Sequence, residues 1–281
     1  MPNYYAHLKF GDKVLEELPR ELAGRIGREE AAFHLGCLGP DPLFFYHPIR
    51  PNGVRREGVR MHRASALPAA ERLRQAIEDG VPMAAGYGAG FLCHLALDSA
   101  CHGYVDERSA EGPISHMAME GEFDRMLMKS DGLDAASQAH LPAPPQKGSQ
   151  VWDAAAYAYV HASPRQVRRA YRAMNFYLDF FARSCGTRRG KVIGAVSRML
   201  PIQSAKDVAL GETPHPASLE SSAKLDRLLE GAVDETARQI DAFFQAIQEE
   251  APVPAWFDRD FKGNPPEGEK GWTVALHHSL S

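Results

Sequence analysis

The stretch from Phe91 to His102, FLCHLALDSACH, constrains the fold of this chain more than any other part of the sequence. It places His94, Asp98 and His102 at steps of four residues, and most of the residues between them are small or apolar. Side chains four positions apart share one face of an α-helix, so the stretch predicts a buried helix with a polar stripe. Buried polar groups need partners, and a metal ion is one partner that suits imidazole and carboxylate together.

A second pair of the same kind follows a short distance along the chain. His116 and Glu120 lie four residues apart in the stretch PISHMAME, which reads as the start of the next helix. The two helices together offer imidazole nitrogens and carboxylate oxygens, a ligand set that zinc accepts and that also suits other first-row metals. The sequence therefore predicts a metal site with mixed nitrogen and oxygen ligands.

The rest of the chain reads as helices joined by loops, and no strand pattern of convincing length is present, so we predict an all-α fold. Helices are predicted over residues 4–18, 28–38, 68–79, 83–104, 113–130, 151–161, 164–184, 189–200 and 218–250. Loops are predicted over residues 49–60, 131–150 and 201–217. Gly86, Gly88 and Gly90 weaken the first ligand helix, and we expect them where another helix packs closely against it.

Length and composition set the organisation of the chain. With 281 residues, the chain is long enough for one large domain with a substantial core. We predict a single helical domain over residues 1–250 and a tail rich in Pro and Gly, residues 251–281, packed on it. Lys and Arg number 32 against 36 Asp and Glu, a formal net charge of −4. This balance argues against a general nucleic-acid-binding protein, which would be basic.

The sequence also predicts a cellular compartment. The four cysteines, Cys37, Cys93, Cys101 and Cys185, form no C-x-x-C pair, and we interpret them as reduced, buried residues of a cytoplasmic protein. The N-terminus lacks a basic region followed by an apolar run, so no signal peptide is predicted. No uninterrupted apolar window is long enough for a transmembrane helix.

Four segments carry ligand-type residues in a specific order along the chain. They are His7 with Phe10-Gly11, the stretch LGPD that ends at Asp41 and its aromatic continuation Phe44-Phe45-Tyr46, the stretch from Gly90 to His102, and the pair His116 and Glu120. In this order they resemble the bacterial zinc-dependent phospholipase C family, of the cytosolic type without a leader. That family is related in fold to zinc-dependent single-strand nucleases. The resemblance covers about residues 1–125, and the rest of the chain resembles the family only in being helical.

The resemblance implies a multi-helix bundle around a cluster of two or three zinc ions. Carried over residue by residue, one zinc would be held by Asp41, His62, His94 and Asp98. A second would be held by His102, His116 and Glu120. A third would be held by His7 and Asp98, with Asp98 as a bridging ligand.

The resemblance also implies an activity, hydrolysis of a phosphodiester by the predicted domain. The implied substrate is a phospholipid or a soluble glycerophosphodiester, attacked by a water molecule whose pKa the metals lower. Asp41 is implied as the general base that acts on this water. The aromatic run Phe44, Phe45 and Tyr46 next to it forms either core or the wall of a substrate pocket.

Two other functions fit the same residues. A single-strand nuclease of the related type would need aromatic and basic surfaces for bases and backbone. This chain has the aromatic run but is not basic, so we rank nucleic acid as the less favoured substrate. A non-catalytic metal-binding protein on the same scaffold is the third interpretation. The headgroup, the native metal and the oligomeric state stay open at this point.

Overall fold

The computed structural model describes residues 4–185, 187 and 213–265. These residues contain ten α-helices and no β-strand, which confirms the all-α prediction. None of these helices is both long enough and apolar enough to cross a lipid bilayer. The helices are α1 (Tyr4–Glu17), α2 (Arg20–Gly27), α3 (Glu30–Cys37), α4 (Gly53–Met61), α5 (Leu67–Glu78), α6 (Ala84–Glu111), α7 (His116–Ser130), α8 (Val151–Tyr157), α9 (Pro164–Ser184) and α10 (Ser218–Gln248).

Helix α6 is the central element of the bundle. Every residue from Ala84 to Asp98 is buried, because this half of the helix is almost entirely apolar and its one imidazole and one carboxylate, those of His94 and Asp98, face the interior. Helices α1, α2, α3, α5, α7, α8 and α10 all pack against α6. The ligand-type side chains that α6 carries therefore lie in the interior of the protein.

Close packing against the first half of α6 depends on its glycines. A Cβ atom on Gly90 would lie 2.1 Å from the carbonyl oxygen of Phe33 in α3, and one on Gly86 would lie 2.6 Å from the Cβ of Glu29. Neither position has room for a side chain. The predicted close approach is confirmed at Gly86 and Gly90, whereas Gly88 leaves ordinary contact distance to α5.

The segment 49–60 was predicted to be a loop, and this prediction is wrong, because it contains α4. Asn52 caps the helix by accepting a hydrogen bond from the backbone N–H of Arg55 at 2.9 Å. Val54, Gly58 and Met61 form a buried face that packs towards the 3-10 helix Asp41–Phe45. The many arginines of this segment concealed the helical spacing of its few apolar residues.

Other boundaries also differ from the predictions. Helix α6 does not end at Gly103 but continues to Glu111, because Val105 is buried and a glycine inside a helix costs only about 1 kcal/mol. Helix α2 was not predicted. Of the cysteines, Cys37, Cys93 and Cys101 are buried as predicted, and Cys185 is partly exposed. The predicted helix 189–200, most of the predicted loop 201–217 and the end of the predicted tail lie outside the described residues.

The part of the predicted tail that the structure describes, residues 251–265, runs along the bundle. A 3-10 helix, Ala255–Phe257, precedes the side chain of Phe261, which is only 1% exposed. The segment is attached near the start of α5, where Ala66 donates a backbone hydrogen bond to the carbonyl of Arg259 at 2.8 Å. Ser65 also donates to the Asp258 carboxylate at 2.6 Å. These contacts lead the chain from α10 back towards α6.

Candidate metal centre

Asp98, on the buried half of α6, lies at the centre of a cluster of imidazoles. Its Oδ1 atom is 3.2 Å from His7 Nε2 and 3.5 Å from His102 Nδ1. Its Oδ2 atom is 3.3 Å from His94 Nε2 and 3.9 Å from His62 Nε2. Oδ1 therefore faces the Nε2 atom of His7 and Oδ2 faces the Nε2 atoms of His94 and His62, so each oxygen can serve a different ion, as a bridging ligand must.

The imidazoles of His7 and His94 are the most deeply buried of the cluster. They are 3% and 1% exposed and stack with ring centroids 4.0 Å apart. His94 Nδ1 donates to the carbonyl of Cys37 at 3.1 Å, so the other nitrogen, Nε2, presents its lone pair towards Asp98. Within the described residues, His94 Nε2 and His7 Nδ1 have no hydrogen-bond partner. A buried nitrogen without a partner costs about 1–3 kcal/mol, and a cation placed between His94 Nε2 and the Asp98 carboxylate would satisfy the nitrogen of His94.

The same orientation recurs in His62 and His102. His62 Nδ1 lies 2.8 Å from the carbonyl of Gly58, and its Nε2 lies 3.1 Å from Asp41 Oδ1. His102 Nδ1 lies 3.2 Å from the carbonyl of Phe261, and its Nε2 points towards a second carboxylate. Imidazoles that bind metal characteristically donate the hydrogen of one nitrogen to a carbonyl or carboxylate and bind the metal through the other.

That second carboxylate is Glu120 of α7. Its Oε1 atom lies 3.0 Å from His116 Nε2 and 3.5 Å from His102 Nε2. The other nitrogen of the His116 ring, Nδ1, lies 3.3 Å from the carboxylate of Asp106. This half of the cluster thus joins the end of α6 to the start of α7, where the spacing of four residues brings His116 and Glu120 onto one face.

Asp41 enters the cluster from the 3-10 helix Asp41–Phe45. Its side chain is buried, and the chain reaches it through Gly39, whose φ of +49° is a left-handed conformation. A Cβ atom on Gly39 would lie 2.3 Å from the His94 ring, so only glycine lets the backbone pass this close. The ring of Phe44 lies 5.0 Å from that of His62, and Phe45 and Tyr46 are partly buried against the core.

The charges of the cluster are strongly coupled. Burial opposes a charge on the His102 imidazole, but Asp98 and Glu120 outweigh this effect and raise its pKa to about 10. Burial also favours neutral carboxyl groups, yet the imidazoles keep the pKa values of Asp98 and Glu120 well below their usual range. The carboxylates therefore stay charged and require positive charge beside them, which protons or metal ions can supply.

The donor atoms of the cluster fit zinc. Three groups each place one ligand atom per residue within 4.8 Å of one another, namely His7, Asp41 and His94; His62, His94 and Asp98; and His102, His116 and Glu120. Imidazole nitrogen and carboxylate oxygen in such groups are zinc ligands. All eight sequence-predicted residues thus lie in one cluster, and the third group is one of the sets implied by the resemblance. Their roles as ligands remain predictions.

Several neighbouring residues were missed or misread from sequence. Glu122 and Asp124 follow Glu120 on α7, and both are buried. Asp124 accepts the backbone N–H groups of Tyr5 at 3.1 Å and Ala6 at 2.9 Å, which caps the first turn of α1 just before His7. Burial raises the pKa of Asp124 to about 8. Because this cap of α1 comes from α7, the sequence around α1 contains no signal that predicts it.

The fold and the cluster define a helical protein whose interior presents a zinc-type ligand set. The family model of zinc-dependent phospholipase C matches residues 6–210, and the chain belongs to this family. No curated protein and no solved structure matches the chain. Family membership and the three groups of ligand atoms together support a metal-dependent, phospholipase-like function. The family match ends before α10 and residues 251–265 begin.

Proposed function

We propose that this protein is a zinc-dependent phosphodiester hydrolase of phospholipase C type and that its substrates are phospholipids. The observation that carries the proposal is the environment of Asp98, whose two oxygens face four imidazoles at 3.2–3.9 Å. We assign the activity to the predicted domain of residues 1–250, with the following segment packed on it. When bound, zinc would bind the phosphate oxygens and lower the pKa of a water molecule.

The proposed ligands divide between the two halves of the cluster. Asp41, His62, His94 and Asp98 would hold one ion, His102, His116 and Glu120 a second, and His7 with Asp98 a third. The carbonyl groups behind the imidazoles keep Nδ1 protonated, so that Nε2 stays available as the ligand atom. Buried surroundings strengthen each of these electrostatic contacts relative to water.

Asp41 is the proposed general base. Its carboxylate lies 3.1 Å from His62 Nε2 at the edge of the cluster, where it can accept a proton from the attacking water. The water oxygen forms the new bond to phosphorus as the bond from phosphorus to the glycerol oxygen breaks. The released alkoxide takes up a proton, and the products are a diacylglycerol and a phosphorylated headgroup.

The aromatic residues next to Asp41 support a lipid substrate. Phe44 contacts His62, and Phe45 stacks on Tyr177 of α9 with ring centroids 6.3 Å apart. We assign these rings to contact with the glycerol and acyl portions of a phospholipid. The formal charge of −4 gives no support to a nucleic-acid substrate, whose phosphates require a basic track.

Elemental analysis tests the metal, with activity measured on the same sample. Protein purified without added metal should contain two or three zinc ions per chain and should hydrolyse phospholipid. His94→Ala and His116→Ala should each lose zinc and activity together. A protein that takes up no stoichiometric zinc after reconstitution would refute the proposal, and so would cleavage of single-stranded DNA in place of phospholipid.

The variant Asp41→Asn separates an enzyme from a non-catalytic metal-binding protein. Asparagine keeps the shape of the side chain but cannot act as a base at neutral pH. We expect hydrolysis to fall by about 10²-fold or more while most of the bound zinc is retained. If Asp41→Asn hydrolyses phospholipid at the rate of the unaltered protein, Asp41 is not the base.

A further inference from the structure

Residues 258–264, which we call the strap, lie beyond the family match of residues 6–210 and yet reach the metal cluster. The strap is a tight turn. The Asp260 carboxylate accepts the backbone N–H groups of Lys262 at 2.9 Å and Asn264 at 2.8 Å. Gly263 has a φ of +79°, and a Cβ atom there would lie 2.9 Å from the carbonyl oxygen of Ser99. The turn is therefore docked against α6 directly beside Asp98.

The backbone of the strap supports His102. The carbonyl oxygen of Phe261 lies 3.2 Å from His102 Nδ1, the same distance as the carbonyl of Asp98 on α6 itself. Two acceptors on this nitrogen fix its hydrogen there and direct Nε2 towards Glu120, 3.5 Å away. One of the two acceptors comes from the strap.

The side chain of Phe261 fills the space behind two more imidazoles. Its ring centroid lies 4.9 Å from that of His62 and 5.7 Å from that of His94. The side chain is 1% exposed, so it keeps water away from this side of both rings. A hydrophobic shell around a metal site controls solvent access and strengthens the electrostatic contacts within it.

Lys262, the next residue of the strap, is linked to the imidazole of His116 through the carboxylate of Asp106. Lys262 Nζ contacts Asp106 Oδ2, and the other oxygen of Asp106 lies 3.3 Å from His116 Nδ1. Both side chains of the Lys262–Asp106 pair are partly exposed, and such pairs contribute little to stability. The pair holds the Asp106 carboxylate in place, and that carboxylate in turn orients His116.

We infer that the strap completes the zinc centre, with Phe261 and Lys262 as positioning residues for the imidazoles of His62, His94, His102 and His116. This inference rests on the proposed function only in taking zinc as the ligand. It means that the zinc site is not contained within the family-matched part of the chain. The residues that follow α10 tune the affinity of a site whose ligands all come from the first half of the sequence.

The first test compares two lysines in similar surroundings. Lys262→Ala removes the contact to Asp106, and Lys13→Ala removes a surface pair with Glu230 at 3.1 Å that joins α1 to α10. Zinc affinity is measured by chelator competition, and melting temperature is measured with and without zinc. We expect Lys262→Ala to weaken zinc binding by about tenfold and Lys13→Ala to leave it unchanged. Lys262→Arg, which keeps a cation beside Asp106, should bind zinc as tightly as the unaltered protein does. Without zinc, both alanine variants should melt at the same temperature.

A second comparison keeps the strap folded and changes only one ring. Phe257 and Phe261 are both fully buried in the same segment, but only Phe261 contacts imidazoles. Phe261→Leu should weaken zinc binding more than Phe257→Leu does, although both destabilise the zinc-free protein. Equal zinc affinity in the two variants, or unchanged affinity in Lys262→Ala, would overturn the inference. If the unaltered protein itself binds no zinc, the proposed function fails instead.

Discussion

At the scale of single residues, four of the five imidazoles of the cluster, all except His7, are oriented by the nitrogen that faces away from the proposed metal. For two of them the acceptor is the carbonyl four residues earlier on their own chain, Gly58 for His62 and Asp98 for His102. His94 instead uses the carbonyl of Cys37 on α3. Short-range helical geometry therefore sets much of the site, and α3 and the strap supply further acceptors.

The first prediction concerns how zinc binding depends on pH. Burial disfavours charge on His102, but Asp98 and Glu120 raise its pKa from 6.5 to about 10. In the zinc-free protein, protonated His102 therefore stabilises the fold fully below pH 6.5, and this stabilisation is lost as the pH rises through about 10. Zinc needs the lone pair that this proton occupies. We expect zinc affinity to rise by up to about tenfold per pH unit between pH 6.5 and 9.

Competition titrations with a chelator at several pH values measure this slope, after correction for the chelator's own protonation. His102→Gln provides the control, because glutamine does not titrate, and its pH slope should be shallower than that of the unaltered protein. Zinc affinity that is independent of pH across this window would contradict the coupling of His102 to the two carboxylates.

At the scale of helices, local periodicity predicted the elements that carry most of the proposed ligands and failed where tertiary contacts decide. The spacing of His94, Asp98 and His102 located α6 because the proposed ligands and the core residues share one helical repeat. The spacing could not show that α6 continues to Asp106, which serves His116, because that contact crosses to α7. Helix α4 was missed for a related reason, since its buried face is recognisable only against the 3-10 helix Asp41–Phe45.

The second prediction addresses the packing of α3 on α6. Gly90→Ala would place a Cβ atom 2.1 Å from the carbonyl oxygen of Phe33 and 2.7 Å from the backbone nitrogen of Cys37. Backbone atoms cannot move aside as a flexible side chain can, so the helices must separate. We expect the free energy of unfolding to fall by about 3 kcal/mol.

Gly231→Ala is the matched control for this substitution. Gly231 also lies inside a helix, α10, but a Cβ atom there would meet nothing within 4 Å. The change should raise the free energy of unfolding by up to about 1 kcal/mol through helix propensity alone. Denaturant unfolding of the zinc-free protein measures both values. If the two substitutions shift stability in the same direction, the close approach of α3 and α6 is not as described.

At the scale of the whole molecule, the cluster lies near α9, a helix whose outer face exposes aromatic and cationic side chains. This helix packs against the 3-10 helix that carries Asp41, and its Tyr177 meets Phe45 on that side. Its outward stripe carries Phe176, 66% exposed, and Phe180, 41% exposed. The same stripe begins with three exposed arginines, Arg165, Arg169 and Arg172. Exposed aromatic rings beside cationic side chains suit an interface with anionic lipid.

The third prediction follows from the position of this face beside the proposed active site. If the substrate is drawn from a membrane, Phe176→Ser combined with Phe180→Ser should reduce binding to phosphatidylcholine vesicles containing phosphatidylglycerol by about tenfold or more. The reason is that burying each phenyl ring in lipid contributes roughly 1.5–3 kcal/mol. Zinc content and hydrolysis of a dispersed short-chain phospholipid should not change, since neither residue contacts the cluster.

Leu219→Ser gives the control. Leu219 is 81% exposed on α10, so this substitution removes apolar surface from another helix. Vesicle co-sedimentation of the zinc-loaded protein measures the bound fraction. Equal binding by the double variant and the Leu219→Ser variant would show that α9 does not face the membrane.

The triple variant Arg165→Gln, Arg169→Gln and Arg172→Gln should weaken binding only to vesicles that contain phosphatidylglycerol. The attraction of arginine to anionic lipid is absent on a neutral surface. The two sets of variants thus separate the apolar contribution of the α9 face from its electrostatic one.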